Sequence, residues 1–181
     1  YHSHDKDGNR MQTIDELPLD WFFRPGVKLD FRNKPDGYVI EPQDILEELD
    51  RIEYKLQPMD IVLFNTKASE FYGKDGYLEH GIGMGKDATL FLTRDNGIRV
   101  TGIDAWGWDA PFFLAKEQYA KDGDALKVWQ GHWAGIEQPY CHMEKLLNLE
   151  KLLAHGFMVS CFPWKIKGAS GGFVRAVAMF D

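Results

Sequence analysis

Two histidines and a glutamate are the residues of this chain best suited to chemistry. His132 lies in Gly131-His132-Trp133-Ala134-Gly135, which reads as a glycine-flanked loop between structured stretches. Cys141-His142-Met143-Glu144-Lys145-Leu146 follows. If Met143–Leu149 is a strand, His142 and Glu144 point to one face and Met143 to the other. A His beside a Glu can ligate a divalent cation or form an acid/base pair. The plainer alternative is a surface His next to a surface Glu, because His-x-Glu on a strand is a weak motif.

Asp104 and Asp109 bracket Ala105-Trp106-Gly107-Trp108. A carboxylate ending a strand often sits in a site, and as often braces a loop or caps a helix; the bracing role is expected here. Gly81-Ile82-Gly83-Met84-Gly85 lacks the Gly-Lys-Ser/Thr ending of a phosphate loop and reads as a turn into a helix, so no nucleotide cofactor is expected. His2, His4 and Asp5 have ligand side chains but stand at a terminus, a poor place to hold a metal. His155, beside Gly156, is expected in an exposed turn. No Gly-x-Ser-x-Gly elbow supports a serine nucleophile. Cys141 and Cys161 are too few and too isolated for a disulfide framework, so reduced thiols and a cytoplasmic setting are expected.

The elements that must position these residues follow from periodicity. Val27–Phe31 alternates apolar and polar residues, as a strand does. Glu41-Pro42-Gln43-Asp44 opens a helix, with Ile45, Leu46, Leu49 and Ile52 on one face. Asp60–Phe64 is a short apolar run suited to a buried strand. Lys86–Asn96 reads as a helix stopped by Gly97, Ile98–Asp104 as a strand, and Pro111–Lys121 as a third helix. Further strands are expected at Met143–Leu149, Phe157–Phe162 and Phe173–Phe180. Strands alternating with helices and then running together imply one α/β or α+β domain.

Composition narrows the function classes. A net charge of −7 without a Lys/Arg cluster argues against nucleic acid. No apolar run reaches the ~20 residues that span a bilayer, and the polar start has no signal-peptide character. Aromatics reach 14%, which suggests a large aromatic core or a pocket for a flat ligand.

Six ordered stretches then resemble the cyclase family of metal-dependent hydrolases, which includes kynurenine formamidases and isatin hydrolases. They are Thr13–Trp21, Pro58–Leu63, Gly102–Trp106, Gly131–Gly135, Glu144–Leu149 and Cys161–Ser170. The resemblance implies a single swivelling β/β/α domain over residues 1–181, with mixed sheets and flanking helices. It also implies hydrolysis of a small amide or cyclic amide, such as an aryl formamide or lactam, with zinc or manganese. The family's His-x-Gly-Thr-His-x-Asp-x-Pro-x-His segment, which carries metal ligands and the catalytic His, is not among these 181 residues. By register it would end just before Tyr1.

The resemblance also carries Glu144 over as a metal ligand and His132 as a second. Where isatin-hydrolase-like members commonly have Gln, this chain has His142, a third ligand candidate. Phe71, Trp106 and Trp108 are candidate walls for a planar substrate. Homodimers or homotetramers are the family's usual assemblies. The competing expectation is a ligand-binding or structural homologue of the same fold without catalysis.

Overall fold

The computed structural model describes residues 3–180. In chain order the elements are β1 (Phe23–Asp30), β2 (Val39–Ile40), α1 (Pro42–Arg51), β3 (Ile61–Asn65), β4 (Gly83–Met84), α2 (Lys86–Leu90), β5 (Val100–Ile103), α3 (Phe112–Asp122), α4 (Gln130–Glu137), β6 (Cys141–Met143), β7 (Phe157–Ser160) and β8 (Val177–Met179). Six strands form one mixed sheet in the order β6-β5-β3-β1-β7-β8, and β2 pairs with β4 in a separate ribbon. Neighbours from β1 through β3 and β5 to β6 run parallel, whereas β7 and β8 join antiparallel. This is the mixed α/β architecture expected from the alternation of strands and helices.

The central strand β3 shows why the sheet holds. All five of its residues are buried. Val62 and Phe64 enter one apolar cluster with Val27, Leu29, Ile45, Ile103 and Trp108. Ile61 and Leu63 enter another with Phe22, Val100, Met143 and Phe157. A strand covered on both faces loses the apolar/polar alternation of a half-exposed one, and only the period of two survives, now between two cores.

Helix α1 starts as its sequence demands. Pro42 takes the first turn and the Asp44 carboxylate accepts the Glu41 N–H at 2.9 Å. Ile45 and Leu49 are buried, with Ile52 packed beside them, but Leu46 is 42% exposed and lies off that stripe. The helix expected to run to Asn96 is α-helical only to Leu90 and continues as a single π turn over Phe91–Asp95. Gly97 then reverses the chain at φ +70°, as anticipated.

Two further expectations are corrected. Met143–Leu149 is not a strand: β6 begins two residues earlier and stops at Met143. Lys145 and Asn148 take φ of +61° and +66°, which an extended strand cannot accommodate. Likewise Gly131–Gly135 is not a loop but the body of α4. Glycine costs about 1 kcal/mol relative to alanine in a helix, and here packing overrides that penalty. A Cβ on Gly131 would stand 2.6 Å from Cδ1 of Trp108, so only glycine lets α4 approach that ring. Ala134 is fully buried one turn later.

Candidate metal centre

Parallel strands β5 and β6 lie side by side with Thr101 opposite His142. The chain leaves the sheet at Glu144, and the backbone N–H of Lys145 is tied to the carbonyl of Ala105 at 2.9 Å. Helix α4 brings His132 to the same place: the His132 and His142 rings are 4.8 Å apart and nearly perpendicular. One donor atom from each of His132, His142 and Glu144 lies within 4.8 Å of the others. The three residues nominated from sequence as ligands are therefore gathered, from two elements, at the carboxyl ends of parallel strands, where open α/β sheets place their sites.

His142 is the most unusual of the three. Its side chain is 17% exposed, yet Nδ1 is sealed from solvent and has no hydrogen-bond partner among the described residues, although Oε1 of Glu144 stands 3.4 Å away. Burial, reinforced by nearby His132, holds its pKa down at about 3, so the ring is neutral at physiological pH. A neutral imidazole with an unsatisfied buried nitrogen suits metal ligation. Below pH 6.5 an unfolded chain takes up a proton that the folded state refuses, so stability is lost as pH falls from 6.5 toward 3. In metal-free protein the melting temperature is expected to decline between pH 6.5 and 5, by at most about 1.4 kcal/mol of stability per pH unit from this group. His142→Gln should flatten that decline; an unchanged slope would refute the assignment.

Glu144 is held on both sides. Oε1 accepts the backbone N–H of Trp108 at 3.2 Å, and Oε2 accepts from Nζ of Lys145 at 3.1 Å. The Lys145 ammonium also sits 4.3 Å over the Trp106 ring. Asp109 meets Nδ1 of His132 and accepts the Gly131 N–H at 2.6 Å. Asp104 is fully buried, and its carboxylate accepts from the Thr66 N–H and hydroxyl (2.9 and 2.6 Å) and from the Ser69 hydroxyl (3.1 Å). Burial raises its pKa against these bonds. Asp104 thus braces the ends of β3 and β5, while Asp109 caps α4 and touches a candidate ligand.

The nominated aromatic walls separate. Trp108 has no exposed surface: its ring meets Phe64 edge-on at 5.5 Å and backs His142 at 5.7 Å, so it supports the centre from beneath. Trp106 is 52% exposed and stands beside the Glu144–Lys145 pair. Phe71 stacks on His80, which pairs with Asp36 at 2.8 Å. Trp129 was missed by the sequence reading. Its ring lies 6.0 Å from that of His132, it is 42% exposed, and its φ is +58°, uncommon for a bulky residue.

The other candidates lie elsewhere. His4 pairs with Arg10 across an isolated bridge, His155 is exposed against Tyr54, and His2 falls outside the described residues. Both cysteines are free thiols, and burial lifts Cys141 to about 11 and Cys161 to about 12, so neither is a ready thiolate.

The family model described as "Putative cyclase" matches residues 1–110. The chain belongs to the Cyclase family. This cyclase-family fold is similar to that of isatin hydrolase A from Labrenzia aggregata bound to benzyl benzoate, at 22% identity and TM-score 0.77, covering 93% of this chain and 65% of that one. An isatin hydrolase bound to the product analogue thioisatinate is similar at 20% identity and TM-score 0.78, with 96% and 64% covered. A potential metal-dependent hydrolase with cyclase activity follows at 23% identity and TM-score 0.67, with 97% and 73% covered. The cyclase-family chain thus spans 65% and 64% of the length of those two isatin hydrolases. No curated protein matches it in sequence. Among the described residues, no helix is long and apolar enough to cross a membrane.

Proposed function

We propose that His132, His142 and Glu144 hold a divalent metal, zinc or manganese, with which the protein hydrolyses a small amide or cyclic amide, such as an aryl formamide or lactam. The observation that carries this reading is the gathering of three donor atoms within 4.8 Å, one residue offering a buried imidazole nitrogen that makes no hydrogen bond among the described residues. Two imidazoles and a carboxylate suit either metal, and three protein ligands with an open position are the usual equipment of catalytic zinc. A divalent cation supplies acidified water and carbonyl polarisation.

The residues of this chain organise that chemistry. Trp108 N–H and Lys145 orient the Glu144 carboxylate, and the Lys145 ammonium offsets its charge. His142 stays neutral because it is buried. The exposed faces of Trp106 and Trp129 flank the centre and suit a flat, ring-bearing acyl group.

Elemental analysis of the intact protein is the direct test, with an expected content near one divalent metal per chain. Less than about 0.1 per chain after supplementation would overturn the reading in favour of a ligand-binding homologue without catalysis. Hydrolysis of N-formylkynurenine, isatin and small cyclic imides, assayed with each metal, would then define the substrate.

A further inference from the structure

One short loop serves every member of the candidate centre. Residues 105–109 supply the carbonyl of Ala105 to Lys145, the N–H of Trp108 to Glu144, the ring of Trp108 behind His142, and the carboxylate of Asp109 to His132. The loop is itself immobilised. At Gly83 in β4 a Cβ would fall 1.7 Å from the backbone nitrogen of Ala110, so strand and loop touch backbone to backbone. Asp104 anchors the other end through Thr66 and Ser69.

Within this loop, Asp109 has a function that capping does not exhaust. Its side chain is 9% exposed and divides its two oxygens between Gly131 N–H and Nδ1 of His132. A carboxylate only accepts hydrogen bonds, so the ring proton is drawn to Nδ1 and ligation falls to Nε2. The same contact limits rotation of the ring, because the oxygen is carried on a held loop and the ring on the first turn of α4.

We propose that Asp109 is a positioning residue that sets the tautomer and orientation of His132, so that Nε2 faces the metal centre. This rests on the metal-centre reading above. Outer partners of this kind typically contribute 10–100-fold to metal affinity.

The test uses Asp109→Asn in the intact protein, because asparagine keeps an oxygen for the Gly131 cap while offering an N–H₂ to Nδ1. In metal-free protein, ¹⁵N-edited spectra of the histidine ring are expected to show the His132 proton on Nδ1 in the wild type and shifted toward Nε2 in the variant, with an unchanged circular dichroism spectrum. Zn²⁺ affinity, measured by competition with a chromophoric chelator, should fall about 10–100-fold. Placed on a His132→Ala background, Asp109→Asn should cause no further loss. An unchanged tautomer in a folded Asp109→Asn protein, or an equal affinity loss with and without His132, would reduce Asp109 to a helix cap and overturn the proposal. A tautomer shift in a protein that binds no Zn²⁺ would support the Asp109–His132 coupling and overturn the metal-centre reading instead.

Discussion

Replacing Glu144 with glutamine is expected to weaken divalent-metal binding by more than about 100-fold, beyond the 10–100-fold typical of outer partners, and to abolish hydrolysis. Glu144 is the only carboxylate in the His132–His142–Glu144 group, so its loss removes both the anionic charge and the best oxygen donor. Glutamine preserves the shape and can still accept the Trp108 N–H that Oε1 accepts now. The fold should therefore survive, and circular dichroism with a melting curve would establish that. The Lys145 ammonium, now 3.1 Å from Oε2, would be left beside a neutral amide and would repel a cation at close range. Titration with Zn²⁺ and Mn²⁺ on the intact protein measures the loss. Full retention of metal by a folded Glu144→Gln protein would show that the centre is elsewhere.

The second large effect is expected at Trp108. Trp108→Ala should cost about 3–5 kcal/mol, the range for deleting a large buried aromatic, and should loosen the candidate metal centre as well. The ring is fully buried, with Phe64 edge-on at 5.5 Å and Tyr140 and His142 at 6.2 and 5.7 Å. Its indole N–H donates to Thr89 in α2 at 3.2 Å, and Gly131 of α4 packs directly against it. Removing it leaves a cavity where two helices and strand β6 meet, and surrounding side chains fill such voids only partly. Against a typical domain stability of about 5–15 kcal/mol, that loss would be conspicuous in urea unfolding. Trp108→Phe keeps much of the bulk and loses the hydrogen bond, so a smaller cost is expected. A loss under about 1 kcal/mol for the alanine variant would contradict the packing role.

How much of this was legible beforehand depends on whether the controlling interactions are local. The apolar run that becomes the buried strand β3, the Pro42 and Asp44 start of α1 and the Gly97 stop are legible among neighbours in sequence, and each was read correctly. The residue types able to bind a metal were visible in the same way, since His142 and Glu144 stand two apart. Their bulk surroundings were less so. Trp108 and Trp106 look alike in sequence, yet one is a fully buried support and the other half-exposed, because the loop between β5 and α3 folds one ring under β4 and α4 and leaves the other outside.

By itself, then, the sequence supplied the candidate donor residues and most of the regular elements. Only the tertiary structure decided that β6 lies beside β5, that a segment flanked by glycines winds into α4, and that Asp109 meets His132 across 23 positions. The reason is energetic. Local glycine preferences amount to about 1 kcal/mol each, and the close packing of Gly131 on Trp108 with the burial of Ala134 outweighs them, turning His132 from a loop residue into the third member of the candidate site.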